Sequence, residues 1–118
     1  MTKILGEKGE KQASVFLEKR GYRILAKNFR NRFGEIDIIA QDKDELVFVE
    51  VKTRTSDNFG TPEEAVNAKK LRKIMLVASE FMSEQGLEDV QPRFEVISIV
   101  DGKTLELIAN IHIDKEAF

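Results

Sequence analysis

The stretch Asp44–Arg54, DELVFVEVKTR, decides how this chain is read. It begins as an apolar strand, with Leu46, Val47, Phe48 and Val49 in a row, and then Glu50 and Lys52 interrupt on either side of Val51. Successive side chains of a strand point to opposite faces, so Glu50 and Lys52 share a face with Leu46 and Phe48. Burying charge is costly unless the charge is paired or holds an ion. A strand this apolar that ends in an acid and a base on one side therefore asks what those two groups meet.

The segment before it supplies a partner. Glu35–Gln41, EIDIIAQ, reads as a second strand, joined to the first by a short connection around Asp42–Glu45. A two-residue loop at Lys43-Asp44 pairs Asp42 with Glu45; a four-residue loop pairs Gln41 with Leu46. Both give one register, and it sets Asp37 directly opposite Glu50. Opposed residues project to the same face with Cβ atoms roughly 4.5–5.5 Å apart. A bulge would shift this by one residue. In that register one face carries Ile36, Ile38, Ala40, Val47, Val49 and Val51, all apolar and suited to a helix. The other begins with Ile39, Leu46 and Phe48 and ends with Glu35, Asp37, Glu50 and Lys52. Like charges directly opposite are destabilising, and a bound cation reverses the sign.

Two carboxylates at close range are hard oxygen ligands of the kind that hold Mg²⁺ or Mn²⁺. The Val51 carbonyl is placed to add a ligand. Such a centre polarises a phosphodiester and acidifies a bound water, and Lys52 is placed to steady the attacking hydroxide or the phosphorane oxygens. The ordinary alternative is a Glu35–Lys52 cross-strand ion pair with Asp37 and Glu50 at a wet sheet edge. An acid followed by Glu-x-Lys is short and common, so spacing alone favours that alternative.

Outward from the hairpin, the elements follow in order. Residues 7–20 read as a helix with Ala13, Phe16 and Leu17, joined by Val15, as its apolar stripe and Gly21 as its stop. Tyr22–Phe29 reads as a strand, and Gly34 breaks the chain before the hairpin. Thr61-Pro62-Glu63-Glu64 is a helix start with an N-cap and a capping-box acid. The helix that follows runs toward Gln85 and Gly86, with Leu71, Ile74, Met75, Ala78, Phe81 and Met82 as its buried stripe. Arg93–Val100 and Thr104–Ile113 are two more strands, joined at Asp101-Gly102. The order α-β-β-β-α-β-β predicts an α/β fold, a mixed five-stranded sheet flanked by helices in a single domain over residues 1–118.

Composition agrees with a folded chain. At 118 residues with 42% hydrophobic content there is enough for one core. With no cysteine there are no disulfides and no thiolate metal sites. No signal-peptide pattern and no apolar run near the ~20 residues of a membrane span is visible, so a cytoplasmic protein that meets no membrane is expected. The net charge of −2 hides an asymmetry. Residues 1–34 carry nine Lys/Arg against three Asp/Glu, and residues 84–118 carry three against eight. A basic first third on an acidic protein suits a polyanion.

Several motifs in sequence resemble one family. GEKGEKQA (Gly6, Gly9, Glu10, Ala13), GYRILAKNFR, GEIDIIA, LVFVEVKTR, FGTPEEAV and the Lys69-Lys70 helix together resemble the PD-(D/E)xK nucleases, the restriction-endonuclease-like superfamily. Within it they are most similar to the YraN-like family, related to archaeal Holliday-junction resolvases. The resemblance implies that Asp37 and Glu50 bind metal, that Lys52 is the catalytic lysine, and that Glu10 of the first helix joins the metal site. Ile36 stands where the superfamily's name has proline. The expected activity is Mg²⁺- or Mn²⁺-dependent endonucleolytic hydrolysis of DNA, in preference to RNA, with branched or junction DNA as a candidate substrate and 5′-phosphate products. The resemblance also implies a homodimer. A rival from another class is a binding module of the same fold that does not cut; a second is an adaptor in which the charges form only an ion-pair network.

Lys8, Lys11, Arg30, Arg32, Arg54, Lys69 and Lys70 are candidate phosphate contacts, as are Arg20, Arg23 and Lys27. Each taken singly has the profile of a solvated surface charge. Phe29, Phe33 and Phe59 are candidate base-stacking rings, with core or loop-anchoring roles favoured. His112, the single histidine, is given no role.

Overall fold

The computed structural model describes the backbone of residues 3–54 and 68–112 and the side chains of residues 8–53 and 68–103. Helix α1 (Lys3–Lys19) leads into strands β1 (Arg23–Asn31), β2 (Gly34–Asp42) and β3 (Glu45–Arg54). Helix α2 (Ala68–Glu84) is followed by β4 (Gln91–Val100) and β5 (Thr104–His112). The expected Thr61 cap and its capping box lie outside the described residues.

The strands form one sheet in the order β1-β2-β3-β4-β5. Every neighbouring pair is antiparallel except β3 with β4, which is parallel and reached through the segment that contains α2. Parallel pairs sit in the sheet centre with both faces covered. β4 fits this rule, since the eight residues Pro92–Ile99 are all buried.

Two apolar layers close over the sheet. On one face Ala13 and Leu17 of α1 pack with Tyr22, Ile38, Ala40, Val47, Val49, Val51, Ile97 and Ile99. On the other, Ile74, Val77, Ala78, Phe81 and Met82 of α2 pack with Ile36, Ile39, Leu46, Phe48, Phe94 and Val96. Phe81 sets its edge against the rings of Phe29 and Phe48, with centroids 5.1 and 6.1 Å apart. Phe29 is therefore a core contact, not a base-stacking ring. Val15 points outward and is 44% exposed, so it leaves the stripe predicted for α1.

Both helices end on a left-handed glycine. Gly21 has φ 91° and Gly86 φ 68°, and in each case the next amide reaches back five residues, Tyr22 N to Leu17 O and Leu87 N to Met82 O. This is the Schellman closure, which needs a residue free of the Cβ penalty.

One expectation fails. Ile36 is expected on one apolar face with Ile38, but it lies on the α2 face while Ile38 lies on the α1 face. The reason is an irregularity across β1 and β2. Lys27 pairs with Ile38 and Phe29 with Ile36, whereas Asn28 and Asp37 between them do not pair. Asn28 has φ 53°, the left-handed region that asparagine tolerates better than most residues. The alternation of faces is interrupted there, and both Phe29 and Ile36 turn to the α2 side.

Candidate active site

The hairpin register is the one expected. Asp42↔Glu45, Gln41↔Leu46, Ala40↔Val47, Ile39↔Phe48 and Ile38↔Val49 are paired. The ladder ends at Ile38↔Val49, one step short of Asp37 and Glu50. β2 stays with β1 through Asn31↔Gly34, while β3 stays with β4 through Arg54↔Val100. The two strands fork, and Asp37 stands in the fork. Its Oδ2 accepts the Val51 N–H at 2.7 Å, in the place of a main-chain partner.

Burial holds the Asp37 carboxyl at about 6, well above the ordinary carboxylate range. The Val51 hydrogen bond opposes this shift, and the charges of Glu50, Glu10 and Glu35 add to it in that order. Asp37 is thus a half-buried acid that carries its negative charge at neutral pH against local resistance.

Glu50 shows the opposite character. Its Oε1 is 2.5 Å from Lys70 Nζ and 3.8 Å from Lys52 Nζ. Its Oε2 is buried and has no hydrogen-bond partner. A buried carboxylate oxygen without a donor costs on the order of 1–3 kcal/mol or more, so it marks a group short of a ligand. The neighbouring Lys70, with burial second, lowers the proton affinity of Lys52, and Glu50 and Asp37 offset part of the loss. Burial works against the Lys70 ammonium as well, but Glu50 and the neighbouring Lys52 outweigh it, and its proton affinity is raised.

Glu10 reaches this site through an unusually close approach of α1. Gly9 is buried, and a Cβ there would overlap the Thr53 Cγ2 methyl at the end of β3. Only a glycine lets the helix lie so near the strand. The next residue, Glu10, is near enough for its charge to act on Asp37. It does not complete a ligand set: among the described residues no group of three or more His, Cys, Asp or Glu is gathered to hold a metal ion. The donor set in hand is Asp37, Glu50 with its orphan oxygen, and main-chain carbonyls. An all-oxygen set of this size fits a hard divalent cation that keeps several waters, as Mg²⁺ does.

The other candidates separate. Arg30 pairs with Glu35 at 2.8 Å, so the Glu35–Lys52 cross-strand pair does not form. Arg32 pairs with Glu80 at 3.2 Å and lies over the Phe33 ring, and Arg20 lies over Phe16 and Tyr22. Lys8 and Lys11 line an open groove of about 570 Å³ on α1, floored by Val15 and Phe16 and continued by Gln12 and Lys19. Lys69 is exposed, and the Arg54 side chain and Phe59 lie outside the described residues. Lys70, a candidate phosphate contact, holds Glu50.

At the opposite end of β3 the sequence reading missed a buried polar cluster. Arg93, 5% exposed, donates to Glu45 at 2.6 Å, Tyr22 Oη at 2.7 Å and Asp42 at 2.8 Å. Tyr22 Oη donates to the fully buried Glu95 at 2.5 Å. Burial first, and then the bond to Glu95, pushes the Tyr22 hydroxyl up to about 12. The available signal was Arg and Glu two apart in an otherwise apolar strand, RFEVISIV, the same kind of interruption that marks Glu50 and Lys52.

The model of the uncharacterised protein family UPF0102 matches residues 9–99, which include Glu10, Asp37, Glu50, Lys52 and Lys70. This chain belongs to that family. A UPF0102 protein of Caldanaerobacter subterraneus subsp. tengcongensis is 46% identical over 112 residues, covering 92% of each chain. One from Alkaliphilus metalliredigens is 43% identical over 118 residues and the whole of both chains. Among solved structures the chain is similar to Archaeoglobus fulgidus Hjc, a Holliday junction resolvase from an archaeal hyperthermophile. That likeness has TM-score 0.49 and 16% identity, over 93% of this chain and 88% of the other. No helix among the described residues is long and apolar enough to cross a membrane.

Proposed function

We propose that this protein is a divalent-metal-dependent nuclease that hydrolyses phosphodiesters of DNA, with branched DNA as its candidate substrate. The observation that carries the reading is the fork: a strained Asp37 carboxylate beside a Glu50 whose second oxygen is buried and unpartnered, with Lys52 next to both. Asp37 and Glu50 would hold Mg²⁺ or Mn²⁺, with the Val51 carbonyl and Glu10 as further oxygen donors. When bound, that ion polarises a phosphodiester and acidifies a coordinated water. Lys52, whose proton affinity is lowered, sits where it can donate to a phosphate oxygen or take a proton from the attacking water. Asp37 orients through its Val51 bond, which fixes one carboxylate oxygen and leaves the other for the site.

Lys8 and Lys11 line the α1 groove in the basic first third of the chain and are the candidate phosphate contacts there. Phosphates seated there would make binding fall steeply with salt. The PD-(D/E)xK resemblance in the motifs supports the same chemistry and adds a homodimer, which sedimentation tests directly.

The test is a cleavage assay with Mg²⁺ and Mn²⁺ on labelled duplex, single-stranded, flap and four-way-junction DNA and on structured RNA. Cutting is expected on DNA and is expected to disappear in Asp37→Asn and Lys52→Ala. Junction binding without cutting by the wild type would replace the nuclease with a binding module of the same fold. Neither binding nor cutting would leave the charges as a structural network only.

A further inference from the structure

Lys70 and Lys52 converge on one oxygen of Glu50. Lys70 Nζ is the nearer, at 2.5 Å against 3.8 Å. Two carboxylates, Asp37 and Glu50, thus face two lysines, and the charge of Glu10 acts on Asp37 from α1. Adding a divalent cation at the carboxylates would set two further positive charges beside both ammoniums. Repulsion falls if one of them leaves.

The two lysines are not equally able to leave. Lys52 is carried by β3 two residues from Glu50, on backbone bonded to β4. Lys70 reaches in from α2, a separate element, on a four-carbon stem with 28% of its side chain exposed. A lysine is a compact point charge on a flexible stem, suited to such an exchange.

We propose that Lys70 is a displaceable stand-in for the divalent cation: it holds Glu50 in the cation-free protein and competes with the cation for it. Once displaced from Glu50, its ammonium turns to a phosphate of the polyanion, so that metal binding and phosphate binding favour each other. The proposal rests on the metal-dependent reading above and adds a residue outside the Asp37, Glu50, Lys52 and Glu10 set.

The experiment is a calorimetric titration of the full chain with Mn²⁺ alone, for the wild type and for Lys70→Met, Lys70→Gln, Lys69→Met and Glu50→Gln. Circular dichroism confirms that each variant is folded, and the glutamine keeps a neutral donor should the methionine disturb α2. Lys70→Met and Lys70→Gln are expected to bind Mn²⁺ roughly tenfold more tightly, the size of repulsion between a single and a double charge about 5 Å apart in a high dielectric. Lys69→Met should match the wild type, and Glu50→Gln should lose the site. Equal or weaker Mn²⁺ binding by both Lys70 variants would overturn the stand-in and leave the metal reading in place. No Mn²⁺ binding by the wild type or by either Lys70 variant would overturn both.

Discussion

Asp37→Asn separates the cost of a charge from the cost of a missing contact. The Asp37 carboxyl sits at about 6, raised first by burial and then by the neighbouring acids. An ordinary aspartate titrates near about 3.9, and a shift of two units corresponds to about 3 kcal/mol. Asp37 is only half-buried, so solvent screening reduces this to about 1–2 kcal/mol. The sign follows from proton binding. Between pH ~4 and ~6 the folded protein holds a proton that the unfolded chain has lost, so stability falls as pH rises through that window. Above ~6 the whole penalty is present. Asparagine carries no charge, and its carbonyl oxygen can still accept the Val51 N–H. Asp37→Asn is therefore expected to be more stable than the wild type at pH ~7.5 by about 1–2 kcal/mol, or roughly 3–8 °C in Tm. The gain should shrink to a few tenths of a kcal/mol near pH ~4. Urea and thermal melts of both proteins at those pH values, without added metal, measure it. A variant no more stable at the higher pH, or a difference that ignores pH, would refute a strained Asp37 carboxylate. Saturating Mn²⁺ should then stabilise the wild type and not the variant.

Three other outcomes test the rest of the architecture. Gly9→Ala should lower stability by about 1–3 kcal/mol, the usual cost of overpacking, because its Cβ meets the Thr53 methyl. Adding Thr53→Ser, which removes that methyl and keeps the hydroxyl, should restore most of the loss in urea melts. Arg93→Met should cost about 3–5 kcal/mol, since the fully buried Glu95 is left without its cation; a loss under about 1 kcal/mol would mean that the cluster is not a working ion network. Tyr22 is the single tyrosine, so phenolate absorbance reports it alone, and it should titrate at about 12. Because the raised group favours its neutral form in the folded state, stability should drop between pH ~10 and ~12, and a Tyr22 titrating at its ordinary value would contradict its bond to Glu95.

Much of this was legible before any coordinates. Alternation and turn chemistry place each strand and the C-terminal end of each helix within a few residues. The shortness of the Asp42–Glu45 connection fixes the hairpin register, because either candidate loop gives the same pairs. The acids and Lys52 were found because charge interrupts an apolar run. What escaped depended on departures from regularity. No alternation rule foretells that Asn28 adopts a left-handed backbone and turns Ile36 to the other face. The fork escaped for a related reason, since a register says who would pair and not where pairing stops. The Lys70–Glu50 pair escaped because its span along the chain hides that α2 brings the two together. Arg93 and Glu95 show the same limit: their partners Tyr22, Asp42 and Glu45 come from three other parts of the chain.

The fork also gives the sheet a mixed identity. As far as Val49, β3 is an interior strand; beyond it, β2 no longer pairs with it, and one side has the character of a border. An uncovered border with apolar residues nearby invites a foreign strand to add on, and charge is a common defence. The carboxylate of Asp37 occupies the Val51 amide that such a strand would need first. A residue that looks like a liability when stability is summed is, from the side of solubility, a guard on the border where β3 parts from β2.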